Sequence, residues 1–177
     1  MNKFLQPEYA LVCNGAILLC NGEIDRQWKA DTQKIIHMSE EPMRVLQDAC
    51  KDVRLKCADG MFLYCTPTEN INEAENILKT ACSGLEISVI RSGRKIYCIP
   101  EKIEKGNSVS RFINLYGCKH TISSGDSELD ISMLNRTDIS MVPKRISRYV
   151  NAEKKIIIGE DMIFSDAIFS EIKSWTN

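Results

Sequence analysis

The sequence predicts an α/β protein: a partial, doubly wound parallel sheet drawn from both ends of the chain, with an α+β insertion between them. Three observations carry that expectation. From His120 onward, short apolar runs alternate with helical patterns. In the first hundred residues the pairs Asn21-Gly22, Asp59-Gly60 and Ser92-Gly93 punctuate apolar runs, as hairpin turns do because their residues take positive φ. The first run, Tyr9 to Cys13, is short, continuous and followed by Asn14-Gly15, the pattern of a strand buried on both faces in a parallel sheet.

Taken in order, Tyr9 to Cys13 is the first strand. Ala16 to Cys20 and Glu23 to Trp28 form a hairpin about Asn21-Gly22. A helix is expected after Ser39, whose hydroxyl can cap it, with Glu40 and Glu41 facing the positive end of the dipole and Pro42 in the first turn. Leu46, Ala49, Cys50 and Val53 then supply its apolar stripe. Leu55 to Ala58 and Met61 to Cys65 make a second hairpin, and Leu85 to Ile90 and Lys95 to Ile99 a third. Between these two lies a helix from Asn72 to Ser83, with Asn72 as cap and Gly84 as terminator. Hairpins and helices in this order describe an antiparallel sheet with helices on one face, ending near Pro100. Beyond it, a helix over Ser108 to Tyr116 stops at Gly117. Strands at His120 to Ser123, Ile139 to Val142 and Lys155 to Ile158 then alternate with helices at Glu128 to Leu134, Pro143 to Val150 and Ser165 to Trp175. The expected domains are residues 1–30 with 101–177 as the core and 31–100 as the insertion.

Composition narrows the function. The chain has 177 residues, 44% hydrophobic and 27% charged, with 9 Gly and 5 Pro, which excludes collagen-like, low-complexity and largely disordered classes. No run approaches the roughly 18 apolar residues of a membrane span, and the start is too weakly apolar for a signal peptide. A net charge of −1 argues against a general nucleic-acid surface but leaves room for a pocket holding one phosphate. The 8 cysteines include no C-x-x-C pair, so reduced core thiols in a reducing, cytoplasmic compartment are expected rather than zinc or disulfides. His37 and His120 read as surface or strand-end residues.

Chemistry concentrates in Lys105-Gly106 and in Ser123 to Leu134. A strand ending in Gly125-Asp126 places a carboxylate at the C-terminal rim of a parallel sheet, where ligands bind in such folds. Asp126 and Asp130 are four residues apart, on one face of a helix start, and two hard carboxylates suit Mg²⁺. Lys105 can return to the same rim as a point charge for a phosphate. No Gly-rich phosphate loop of the nucleotide-binding kinds is present.

Lys105-Gly106 followed by Gly125-Asp126-Ser127-Glu128-Leu129-Asp130-Ile131-x-Met133-Leu134 resembles the third and fourth signature motifs of the haloacid dehalogenase-like (HAD) superfamily. Asn14-Gly15-Ala16-Ile17 after an apolar strand is similar to the Asn-Gly-Ala stretch of its Cof-type and sucrose-phosphatase-like branch. The resemblance implies a HAD-type Rossmann-like core with an inserted α+β cap. It implies a Mg²⁺-dependent phosphatase of sugar phosphates or similar small phosphorylated metabolites, with no membrane or nucleic-acid partner. By resemblance, Lys105 is the catalytic cation on the phosphate, Asn14 and Gly15 meet substrate, Asp126 ligates the metal, and Asp130 supports the metal site or holds Lys105. Leu129 departs from the Asn found in many relatives. The larger departure is that no Asp-x-Asp occurs anywhere, although that motif supplies the family's nucleophile. Roughly fifty residues of the family core are expected to be missing upstream of Tyr9. The chain as it stands is therefore expected to bind Mg²⁺ weakly and to be incomplete or inactive. A homo-oligomer or a complementing N-terminal fragment would supply the missing strands. The alternative is a non-catalytic ligand-binding or interaction protein on the same scaffold.

Overall fold

The computed structural model describes residues 7–159 and 161–176. The chain divides into two compact units, Met1–Glu104 and Lys105–Asn177.

In the first unit, β1 (Tyr9–Val12), β2 (Ile17–Cys20) and β3 (Glu23–Ile24) form an antiparallel meander. Here the structure corrects the sequence reading. The first strand is half-buried and pairs antiparallel with β2, Tyr9 opposite Cys20, rather than lying buried on both faces of a parallel sheet. The turn at Asn21-Gly22 forms as expected, both residues having positive φ. The strand expected to run to Trp28 ends at Ile24, because the Asp25 carboxylate accepts the Trp28 N–H at 2.6 Å and caps a helix there.

That helix, α1, runs over Arg26–Ala49, beginning fourteen residues before the start expected after Ser39 and carrying Pro42 in its interior. An interior proline costs about 3 kcal/mol through one lost backbone bond and a steric clash. Burial at both ends offsets it: Trp28 and Thr32 are buried toward the start and Leu46 toward the end. Ser39, far from capping, donates its hydroxyl to the Ile35 carbonyl at 2.8 Å.

Next, β4 (Lys56–Ala58), β5 (Phe62–Cys65), β6 (Ile87–Ser92) and β7 (Lys95–Pro100) build a four-stranded antiparallel sheet in the order β4-β5-β7-β6. Between β5 and β6 lies α2 (Ile71–Ala81), capped by Asn70 rather than Asn72. The β6–β7 turn is Gly93-Arg94, one residue later than expected, since Ser92 pairs with Lys95. Leu63, Cys65, Ile96 and Cys98 share one sheet face and bury against Leu46 and Cys50 of the α1 end and Ala74, Leu78 and Cys82 of the α2 region. Both helices thus cover one face, as the pattern predicted. Cys50, Cys65, Cys82 and Cys98 are buried thiols, whereas Cys13, Cys57 and Cys118 are exposed and Cys20 half-buried. The core reading of the cysteines therefore holds for half of them. Tyr64 and Tyr97 stack across neighbouring strands on the opposite face, ring centroids 6.3 Å apart.

The second unit is the parallel one. It opens with α3 (Lys105–Tyr116), which includes Lys105 and Gly106 in its first turn instead of starting at Ser108. Strands β8 (Ile122–Ser124), β9 (Ile139–Pro143) and β10 (Lys154–Ile158) pair in parallel in the order β10-β9-β8. Adjacent side chains on β9 point to opposite faces. Val142 buries with Leu134 of α4 (Ile131–Leu134), Ile146 of α5 (Lys144–Ser147) and Val150. Met141 buries with Ile158 and with Ala167 of α6 (Phe164–Thr176). Helices on both faces of a parallel sheet are the partial Rossmann-like core expected. Beneath α4, the hydroxyls of Ser123, Thr137 and Ser140 share a buried network, and Ser140 donates to the Leu134 carbonyl at 2.5 Å. Among the described residues no helix is long and apolar enough to cross a membrane.

Candidate active site

The site grows out of the C-terminal end of β8. Gly125 donates its N–H to the Met141 carbonyl at 3.3 Å, which keeps the chain against β9 for one residue past the strand. A side chain here has no room, because a Cβ on Gly125 would lie 2.4 Å from Cβ of Asp130. Asp126 follows, and Ser127 caps a 3-10 turn over Glu128–Asp130 that leads into α4. Ser127 and Asp130 form a capping box in which side chain and backbone satisfy each other.

Asp130 consequently points back into the loop rather than outward. Its Oδ2 accepts the N–H of Asp126 at 3.2 Å, the N–H of Ser127 at 3.0 Å and the Ser127 hydroxyl at 2.7 Å. Its Oδ1 takes the Lys105 ammonium at 2.5 Å. The carboxylate is buried, and Lys105 is one-third exposed, so its ammonium keeps access to solvent. Burial pushes the Asp130 pKa upward, but the Lys105 ammonium and the hydroxyl and N–H of Ser127 outweigh it and hold the carboxyl below its ordinary value. Because the folded-state pKa is depressed, this contribution to stability is complete above the unfolded value of about 3.9 and disappears as pH falls below it. Acid titration of unfolding free energy is expected to show that loss, and Asp130→Asn to flatten the same limb.

Asp126 behaves differently. It lies in the loop before Ser127, not on a helix face with Asp130, and its side chain is 66% exposed. The Arg145 guanidinium on α5 donates to the Asp126 carbonyl and stands 3.6 Å from its Oδ2. On the other side of the loop, Gly106 donates its N–H to the Ser132 hydroxyl at 3.1 Å, which satisfies an otherwise orphaned amide in the first turn of α3. The structure thus brings Lys105 and Asp130 together and ties both to the Asp126 backbone.

Sequence reasoning missed Arg145, Ser127 and Ser132. Ser127 and Asp130 carry a readable Ser-x-x-Asp capping signal. Nothing in the sequence points to Arg145 beyond its place just past β9.

Asn14 and Gly15 lie in the other unit. Asn14 takes a left-handed conformation, φ 60° and ψ 24°, within a 3-10 turn, and its side-chain amide nitrogen is buried without a partner. The Gly15 carbonyl accepts the buried Trp28 indole N–H at 3.1 Å. The Thr32 hydroxyl, one turn after Trp28, is also buried without a partner.

A divalent metal would need oxygens that remain free. All the hydrogen bonds at Asp130 come from protein donors, the Asp126 carboxylate faces a guanidinium, and among the described residues no group of three His, Cys, Asp or Glu is placed to hold a metal. These residues on their own do not fit a resident Mg²⁺.

A parallel sheet flanked by helices, with an oriented lysine and acidic loop at its C-terminal rim, defines an α/β domain of the ligand-binding doubly wound class. Residues 8–162 match the family model of the haloacid dehalogenase-like hydrolases, and the chain belongs to that family. The structure is similar to the sucrose-phosphatase of Synechocystis sp. PCC6803, solved with sucrose and phosphate, with a TM-score of 0.70 at 16% identity over 97% of this chain and 75% of that one. It is also similar to the trehalose-6-phosphate phosphatase of Aspergillus fumigatus, with a TM-score of 0.55 at 13% identity over 89% of this chain and 65% of that one. A HAD subclass IIB sugar phosphatase gives a TM-score of 0.56 at 14% identity, over 93% of this chain and 76% of that one. No curated protein sequence matches.

Proposed function

We propose that this chain is the phosphate-holding part of a HAD-like phosphatase acting on sugar phosphates or similar small phosphomonoesters. The observation that carries the reading is the Lys105–Asp130 pair, 2.5 Å apart at the C-terminal rim of a parallel sheet. In phosphoryl transfer, charge accumulates on the equatorial oxygens and the protein acts mainly by positioning and electrostatics. Asp130 is a positioning residue: it holds the ammonium of Lys105 in place, and Lys105 neutralises the phosphate. Asn14 brings a buried donor without a partner, suited to a substrate oxygen, and Gly15 follows it in the same turn. Asp126 is the exposed carboxylate of the same rim. The domain arrangement that goes with this reading is a core of residues 1–30 and 101–177 with 31–100 as cap, in a cytoplasmic protein. Family phosphatases generally use Mg²⁺.

The sequence contains no Asp-x-Asp, so the usual carboxylate nucleophile has no counterpart among these residues. That observation favours a second reading, a phosphate-binding or interaction protein on the same scaffold. One experiment separates the two. Purified chain is assayed for phosphate release over a panel of sugar phosphates, with Asp126→Asn as control, and for inorganic phosphate binding by calorimetry. Turnover abolished in the variant supports the hydrolase, with a nucleophile from a second copy or a complementing fragment. Binding without turnover supports the second reading. In either case Lys105→Met is expected to weaken phosphate binding by at least about tenfold, the loss of one charge-assisted contact. Unchanged affinity would remove the phosphate site from this rim.

A further inference from the structure

We propose that Arg145 is the resident cation of the Gly125-Asp126 loop and keeps Mg²⁺ off Asp126. Arg145 touches Asp126 twice, through the carbonyl to which it donates and through the carboxylate 3.6 Å away. The carboxylate contact alone is weak, since both side chains are more than half exposed. The shared nitrogen makes the difference: Nη2 of Arg145 makes both contacts, and its two N–H groups let it engage backbone and side chain of one residue together.

Charge balance points the same way. Lys105 is paired with Asp130 and Arg145 with Asp126, two cations against two carboxylates. A divalent ion entering beside Asp126 meets a carboxylate that already faces a guanidinium 3.6 Å away. Asp130 offers it no free second carboxylate, because it is committed to Lys105, Ser127 and the Asp126 N–H. Mg²⁺ sheds its water reluctantly and ordinarily asks for at least one free carboxylate with phosphate oxygens. At this rim Arg145 takes the place of the ion at the only exposed carboxylate of the pair. The consequence is an anion-binding rim whose positive charge is carried by side chains.

The inference concerns the rim of the proposed phosphatase, but it is read by metal binding alone. Its failure is therefore distinguishable from failure of the phosphatase reading, which is measured by phosphate release. Mg²⁺ is titrated into the ¹⁵N-labelled full chain and the amides of Gly125, Asp126 and Ser127 are followed. The wild type is expected to show no saturation below about 1 mM, the weak end of dedicated divalent sites. Arg145→Ala is expected to bind Mg²⁺ about tenfold more tightly, as removal of a nearby positive charge implies, and Arg145→Lys to fall between. The gain should vanish in Arg145→Ala combined with Asp126→Asn. Saturation of the wild type below that concentration overturns the proposal without any variant. So does an Arg145→Ala titration identical to wild type, or a gain that survives loss of the Asp126 carboxylate.

Discussion

Replacing Gly106 with alanine is expected to destabilise the Lys105–Asn177 unit by about 3 kcal/mol, the upper end for overpacking. The sign is the informative part. Gly106 sits in the first turn of α3 with no positive φ, so helix propensity alone predicts that alanine stabilises by up to about 1 kcal/mol. Packing predicts the reverse. A Cβ on Gly106 would lie 2.5 Å from the Ser132 carbonyl oxygen and 2.7 Å from its carbon. These are backbone atoms of α4 and cannot swing aside like a side-chain tip. Relief requires α3 and α4 to separate, which also stretches the 3.1 Å bond from the Gly106 N–H to the Ser132 hydroxyl. Gly117 makes the control: a Cβ there meets nothing within 4 Å, but φ is +65°, so its alanine variant should lose only about 1 kcal/mol of backbone strain. Urea unfolding of both variants checks the pair. A Gly106→Ala protein as stable as wild type would mean that α3 does not approach α4 so closely.

Asp130→Ala is expected to cost a similar amount, about 3 kcal/mol, by a different route. Nothing clashes. Instead four donors lose their acceptor: the Lys105 ammonium, the N–H groups of Asp126 and Ser127, and the Ser127 hydroxyl. Those that stay buried without a partner carry their desolvation penalty into the folded state. Asp130→Asn keeps the volume and one acceptor oxygen, so its loss should be smaller, about 2 kcal/mol. Both variants should also weaken phosphate binding, since Lys105 is released from its anchor. A role confined to stability predicts otherwise. The affinity of Asp130→Asn, measured well below its melting temperature, would then equal that of wild type.

The parts of this fold that were legible in the sequence rest on neighbouring residues. Asn21-Gly22 and Asp59-Gly60 both adopt positive φ, because a two- or three-residue turn demands it and few other pairs permit it. The alternation of strand and helix after Tyr116 likewise survives into three parallel strands with helices on both faces. What was misread involved competition between local signals. Ser39, Glu40, Glu41 and Pro42 form a plausible helix start, and so does Asp25. The structure uses Asp25 and runs through Pro42, because Trp28 and Leu46 bury opposite ends of one continuous helix. The apolar run of β1 could have entered a parallel sheet, but its pairing with β2 was settled by the tight turn between them, where Cys13 and Asn14 both take positive φ.

The candidate site divides along the same line. The sequence by itself determined that Lys105, Asp126 and Asp130 belong to one family pattern, and that no Asp-x-Asp accompanies them. Tertiary structure alone decided their partners. Asp130 gives its carboxylate to Lys105, twenty-five residues away in the chain, and to the Asp126 loop, while Asp126 faces Arg145, nineteen residues on. The physical reason is that turn and helix preferences depend on consecutive backbone angles. The state of a carboxylate depends instead on which donors meet it once α3, the β8 loop and α5 have converged on one sheet rim.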